Sequence, residues 1–449
     1  VVGLANGNAF FLEELVRAVA EGKSGALPDS VLSVVEARLE ALEPDARRVL
    51  RAASVFGQFF WPSGVAAVLG DSDEEVAGAW IATLGRREIV APRGHSRFEN
   101  EPELTFRHAL VRDTAYSMLT PEDRRLAHRA AAAWLQARGE GEAAVLAWHL
   151  EAGGELERAA LQYIDAASQM LSGGELPAAH ELVARGMACA TKPETRARLF
   201  VLEAEAQRWL GDLEASARAA DEAARTAQPE SDTHFQALGI ALLDHLKLGH
   251  DDRRRELLAE AVRLLERARA GSAACKLASS AGTAAIFSGD VATAAAVDAV
   301  AERLVAAPDV DLTALGQIHA FRAFLSDAQG DLEAQIRHFE AAARCFEQAG
   351  HDRHQLLHRT NAAFARTLVG DYETAATELF EVLELAERRS LRFVADTASS
   401  DLGATLERLG RFDEAREHAA RAVENFRKGG DHRMEAASRA YLARALFAQ

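Results

Sequence analysis

The feature that most constrains this chain is a short turn that returns at a nearly fixed interval. It occurs as Gly174-Glu175-Leu176, Gly211-Asp212-Leu213, Gly289-Asp290-Val291, Gly330-Asp331-Leu332, Gly370-Asp371-Tyr372 and Gly410-Arg411-Phe412, with a weaker copy at Gly249-His250-Asp251. Successive glycines stand 37 to 41 residues apart, the signature of stacked structural repeats. Glycine accepts the left-handed backbone that ends a helix. An acidic residue beside it favours the start of the next helix. The apolar residue pins the second helix to the first, and a small residue five after the glycine (Ala179, Ser216, Ala294, Ala375, Ala415) lets the two cross closely; Gln335 departs from that rule. Each unit reads as a helical hairpin that cannot bury its own face alone, so the hairpins are expected to stack into a solenoid.

Composition agrees. At 449 residues the chain is too long for one compact core. Hydrophobic residues make up 49%, but aromatics only 6%, and there are ten prolines. Small side chains that let helices approach closely suit stacked helices better than a thick sheet core. The net charge of −17, with no long basic stretch, argues against nucleic-acid or anionic-membrane binding, both of which need clustered cations. Cys189, Cys275 and Cys345 are odd in number and far apart, which points to a reduced, cytoplasmic compartment rather than a disulfide framework or zinc site. No apolar run approaches the roughly 18 residues of a membrane span. The chain opens without Met, at Val1-Val2-Gly3-Leu4, and is expected to be a fragment of something longer.

Over roughly residues 155–449 the repeat resembles the tetratricopeptide repeat (TPR) family. Leu402, Gly403 and Leu406 fit that family's first-helix pattern, and Gly282 takes the same place seven residues before its own turn glycine. The usual early Trp is missing and the period exceeds the usual 34. The resemblance implies that the first helix of each hairpin lines a concave groove. Counting back from the turn glycines then selects Arg208, Gln236, Lys247, Lys276, Gln317, Phe324 and Asp327 as groove residues. Such a surface suits a protein or peptide partner or a small-molecule inducer.

Residues 1–150 lack the period. Helices are expected over about 31–42, from Pro44 to about Phe56, near 63–69 and over 73–87, followed by two short strands, Glu88-Ile89-Val90-Ala91-Pro92 and Glu103-Leu104-Thr105-Phe106-Arg107. A helical cluster followed by a two-stranded wing suggests a winged helix. The opening, Gly7-Asn8-Ala9-Phe10-Phe11-Leu12-Glu13-Glu14-Leu15, resembles the end of the ATPase module in STAND-class signalling ATPases, whose usual form has Pro where Ala9 stands, near the bound adenine. Phe106-Arg107-His108-Ala109-Leu110-Val111-Arg112-Asp113 resembles that family's winged-helix signature and the plant Met-His-Asp motif, whose His meets the ADP β-phosphate. The resemblance implies a nucleotide sensor at His108, with Ala9 beside the nucleotide, in an intact parent that binds ATP or ADP; the chain itself is expected to hold no cofactor. The implied layout is 1–27, tail of the ATPase helical lid; 28–140, winged helix; 141–449, a solenoid of about seven hairpins. The fold class is therefore all-α, with a small winged-helix domain ahead of the solenoid.

Other motifs carry less. Gly22-Lys23-Ser24 lacks the first glycine of a phosphate loop, since position 17 is Arg. His351, His354 and His358 share a helix face, but no Cys or carboxylate pattern completes a metal site. Asp71-Ser72-Asp73-Glu74-Glu75 at the start of the helix that would read DNA would repel phosphate. Kinase signatures are missing. The expected function is thus non-catalytic: a regulatory and sensor arm of a signalling ATPase. The alternatives are a constitutive interaction scaffold and the regulatory region of a multidomain serine/threonine kinase.

Overall fold

The structure is a computed structural model that describes residues 31–70 and 74–448. Among these the chain is about 79% helical, in 22 helices. It divides into two compact units, 1–163 and 164–449. Elements are numbered from the first described one.

The first unit contains α1 (Val31–Glu40), α2 (Pro44–Ser54), β1 (Phe59–Phe60), α3 (Pro62–Leu69), α4 (Glu74–Arg86), β2 (Val90–Pro92), β3 (Leu104–Phe106), α5 (Ala109–Ser117), α6 (Pro121–Ala137) and α7 (Ala143–Ala152). The two expected strands are present. They gain a third, β1, which pairs antiparallel with β3 (Phe59 opposite Thr105), while β2 pairs with the other edge (Val90 opposite Phe106). Two residues are too few to show alternation, so β1 exists through its partner rather than its own pattern. Proline at the first turn of α2, α3 and α6 supplies a pre-set φ where no intrahelical N–H is needed. Leu39, Leu50, Phe60, Val65, Leu84, Ile89 and Phe106 form the core between helices and sheet.

Beside that core lies an aromatic cluster. Trp61 stacks on Trp134 at 5.3 Å, and Phe56 and Phe98 meet them edge-on or tilted. Trp134 Nε1–H donates to Ser63 Oγ at 3.1 Å, so the indole N–H is satisfied in the interior. His128 and His149 are fully buried with their Nδ1 atoms 3.1 Å apart, and the Tyr116 hydroxyl lies 2.8 Å from His128 Nε2. Burial holds both imidazoles neutral, lowering His128 to about 4 and His149 to about 3.

α8 (Leu156–Gly173) spans the division between the units. The second unit continues as hairpins: α9 (Leu176–Cys189); α10 (Pro193–Leu210) with α11 (Leu213–Thr226); α12 (Asp232–Leu248) with α13 (Asp251–Arg267); α14 (Ser272–Phe287) with α15 (Val291–Val305); α16 (Leu312–Ala328) with α17 (Leu332–Gln348); α18 (Asp352–Val369) with α19 (Tyr372–Arg388); α20 (Arg392–Arg408) with α21 (Phe412–Gly429). A last helix, α22 (His432–Phe447), closes the run. All seven turn glycines have positive φ, from 72° to 93°. At Gly211 the bonds Gly211 N–H to Arg208 O and Asp212 N–H to Gln207 O satisfy the last carbonyls of α10, and the same pair recurs at Gly289 and Gly330. Asp212, Asp290 and Asp331 then cap the next helix by accepting from the backbone N–H three residues on.

The small residues five after the glycine are all fully buried. Gln335 is buried too, and its Oε1 has no hydrogen-bond partner. Two close helix contacts, one between successive first helices and one within a hairpin, need the absence of a side chain. A Cβ added to Gly282 would stand 2.2 Å from the Phe321 ring, and one added to Gly316 would stand 2.9 Å from Phe346.

Candidate functional site

The hairpins of the second unit coil tightly enough that inner faces distant in sequence meet. Trp209, at the end of α10, meets His354 of α18 edge-on at 5.3 Å and Phe393 of α20 at 6.3 Å. A Cβ on Gly211 would lie 3.9 Å from the carbonyl of Gly429 in α21. Two adjoining cavities of about 460 and 450 Å³ result, with Arg208, Trp209 and His354 in the wall of both.

Arg208 is held by the wall. Its Nε and Nη2 reach Asp244 Oδ1 at 2.9 and 2.7 Å, and Nη2 also donates to Ile240 O at 2.8 Å. Asp244 is wholly buried and its other oxygen accepts from Ser216 Oγ. A buried carboxylate with a charged partner and a hydroxyl is fully paired.

The first cavity mixes polar and apolar side chains. Gln236, Lys276, Gln317 and Phe324 line it with Glu205 and Arg353. Burial raises the Glu205 carboxyl, against the opposing pull of Arg208, Lys276 and Arg353. Lys276 lies 3.7 Å from Asp311. The Arg353 guanidinium stacks 4.4 Å from the Trp209 ring, and burial lowers its pKa. The second cavity mixes apolar surface with charge of both signs: Trp209, Leu213, Leu357, Phe393 and Phe426, with Lys247, Arg392 and Lys428 and the carboxylates Asp396 and Asp431. Lys247 Nζ sits 5.7 Å from the Phe393 ring centre, and burial pushes its pKa down to about 8, with Arg208 adding to the shift.

Of the residues selected from the repeat register, Arg208, Gln236, Lys276, Gln317 and Phe324 line the first cavity, and Lys247 lines the second with Arg208. Asp327 lines neither and is exposed. It shares Arg208's register, three before the turn glycine, but that place lies at the very end of the first helix. The register missed Trp209, Glu205, Arg353 and Phe393. Trp209 is the sole tryptophan beyond residue 148 and stands two residues before a turn glycine, which was the signal available.

The histidines of α18 lie inside the repeat rather than on a metal. His354 and His358 stack on the Phe346 ring at 4.9 and 5.3 Å, and burial lowers them to about 3 and about 4. Among the described residues no group of three or more His, Cys, Asp or Glu is placed to hold a metal, and no helix is long and apolar enough to cross a membrane. In the first unit, His108 occupies the N-cap of α5, half-buried, directly after β3. Ala9, Gly22-Lys23-Ser24 and the acids at 71–73 lie outside the described residues, while Glu74 and Glu75 fall in the first turn of α4.

These features define a helical-hairpin solenoid with a cavity-forming inner face. The tetratricopeptide-repeat family profile matches residues 394–449, and the chain carries a tetratricopeptide repeat domain. No curated protein matches the sequence. Similar solved structures include a STAND protein with a tetratricopeptide repeat sensor from Pyrococcus horikoshii, at 12% identity and TM-score 0.46. That likeness covers 99% of this chain and 59% of that one, so the chain spans well under two thirds of its length. A Rap protein complexed with Competence and Sporulation Factor matches at 12% identity and TM-score 0.48, over 89% of this chain and 99% of that one. Yeast Tom70 matches at 12% and 0.38, over 97% and 90%.

Proposed function

We propose that this chain is the regulatory and sensor arm of a STAND-class signalling ATPase, binding an effector inside its solenoid and relaying that event through a winged-helix unit to a nucleotide held by the rest of the protein. The observation that carries the reading is the pair of cavities: a repeat built only as a flat scaffold has no need of a walled interior lined by Arg353, Lys247 and Trp209. The first unit supports it through the order α1-α2-β1-α3-α4-β2-β3, which is that of a winged helix, with His108 at the helix N-cap after the last strand, where the family's signature puts its sensor. The acidic first turn of α4 disfavours DNA and favours an internal hinge. On this reading the effector binds the open state of the parent better than the closed one and shifts the population accordingly.

The test is hydrogen exchange over Phe106–Asp113, in this chain alone and joined to its ATPase half. ADP should protect that segment only in the joined protein, and effector should reverse the protection. Equal exchange with and without ADP in both proteins would leave a constitutive scaffold as the reading.

A further inference from the structure

The second cavity carries more positive than negative charge in its wall, with Arg208, Lys247, Arg392 and Lys428 against Asp396 and Asp431. Lys247 forms no hydrogen bond or ion pair with any described residue, and its ammonium lies over the face of Phe393. Asp244 and Asp431 favour its charged form from beyond ion-pairing distance, without offsetting burial. Asp244 is held by Arg208 and Ser216. Asp431 accepts from the Met434 N–H at 3.0 Å as the cap of α22. Asp396 accepts from Asn425 Nδ2 at 2.6 Å. Arg392, on the same wall, acts on Asp396 from beyond ion-pairing distance. A half-buried ammonium with no anion in contact is costly, and a bound anion lowers that cost. Trp209, Leu213, Leu357, Phe393 and Phe426 add apolar surface and aromatic faces to a wall that also holds Asp396 and Asp431.

We infer that this cavity is the effector site for a small organic acid: a carboxylate that meets Lys247, carried on an aromatic body that packs between Trp209 and Phe393. The volume of about 450 Å³ fits a bicyclic aromatic acid. This rests on reading the solenoid as the sensing unit, but the binding is a property of the chain alone. Failure of the nucleotide relay would leave it standing, and failure here would leave the relay untouched.

The experiment uses the whole chain and 2-naphthoate as probe, with 2-naphthamide as its uncharged counterpart and a tripeptide ending in Phe as the second source of an aromatic carboxylate. Binding is followed by calorimetry and by quenching of the Trp209 component of the fluorescence, identified by its loss in Trp209→Phe. The acid should bind at least about ten-fold tighter than the amide, the margin expected of one charge-assisted contact. Lys247→Met should erase that margin and Lys247→Arg should keep most of it, with helical content by circular dichroism confirming that both fold. Without any variant, saturating 2-naphthoate should slow acetylation of Lys247 by an N-hydroxysuccinimide ester, read by peptide mass. A tripeptide that outcompetes 2-naphthoate assigns the carboxylate to a peptide terminus, which overturns the small-acid assignment. Equal affinity for acid and amide, binding unchanged in Lys247→Met, or no binding and no protection of Lys247 at millimolar probe would each overturn the inference.

Discussion

Replacing Gly282 by alanine tests the packing argument through the sign of its effect. In a helix interior, Gly→Ala is ordinarily stabilising by about 0.5–1 kcal/mol, because glycine loses more backbone freedom on folding. At Gly282 the new methyl would meet three carbons of the Phe321 ring at 2.2, 2.3 and 2.7 Å. An ordinary contact begins at 3.4 Å, so the ring must retreat by about 1 Å or α14 and α16 must separate by that much. Phe321 is fully buried and has no empty space to enter. Overpacking of this severity belongs at the upper end of the roughly 1–3 kcal/mol range, which leaves a net loss of about 2 kcal/mol after the propensity gain. The assay is native-state hydrogen exchange over α14 and α16, where that loss should speed exchange by a factor of about 30. Gly78→Ala in α4, where a Cβ meets nothing within 4 Å, is the control and should stabilise. Phe321→Leu should relieve Gly282→Ala, giving a favourable coupling in the double-mutant cycle. A Gly282→Ala chain as stable as the wild type or more so would refute the reasoning.

Three further outcomes follow from the same structure. His128 and His149 are held neutral, at about 4 and about 3, so the unfolded chain takes up protons below its ordinary 6.5 while the folded one does not. Stability of the first unit should therefore fall as pH drops from 7 to 5, by about 2 kcal/mol for each histidine, and amide exchange in α6 and α7 should accelerate accordingly; pH-independent exchange there would contradict the assignment. Arg208→Met strips the wholly buried Asp244 of its counter-charge and should cost about 3–5 kcal/mol by urea denaturation, with Arg208→Met/Asp244→Leu recovering most of it. Gln335→Met removes a buried oxygen that has no partner at nearly constant volume and should raise stability by about 1 kcal/mol.

What the sequence displayed and what it concealed divide along the range of the forces involved. The turns were legible because the conformation they need is local: a glycine at positive φ, and an acidic residue within three positions of the N–H it caps. Gln335 was legible as an exception for the same reason. β1 was not legible, because its pairing partner Thr105 lies 46 residues on from Phe59. The cavity was half legible. A register counted inside one repeat finds Gln236, Lys276 and Gln317, which occupy the same place in three successive hairpins, thirteen residues before their turn glycines. It cannot find Trp209 against Arg353 and Phe393, because those meet through the pitch of the coil, which small increments at every hairpin interface set together.

The same coil makes the charge of the site opposite to that of the chain, and this has a kinetic consequence. The chain carries −17, so an approaching anion meets a repelling field at long range and finds Lys247 and Arg392 only at contact. Added salt weakens the long-range repulsion first, since the screening length is about 10 Å at 0.1 M and shorter than the dimensions of the solenoid. The contact between a carboxylate and a half-buried ammonium is screened much less. Raising salt from about 0.01 to 0.15 M should therefore accelerate association of 2-naphthoate while leaving its dissociation rate nearly constant, the reverse of the usual behaviour for an anion entering a basic site. Stopped-flow quenching of Trp209 measures both rates in one titration. An association rate that falls with salt would mean that the basic wall already dominates the field outside the solenoid, and that the acids of the outer surface play no part in selecting what enters.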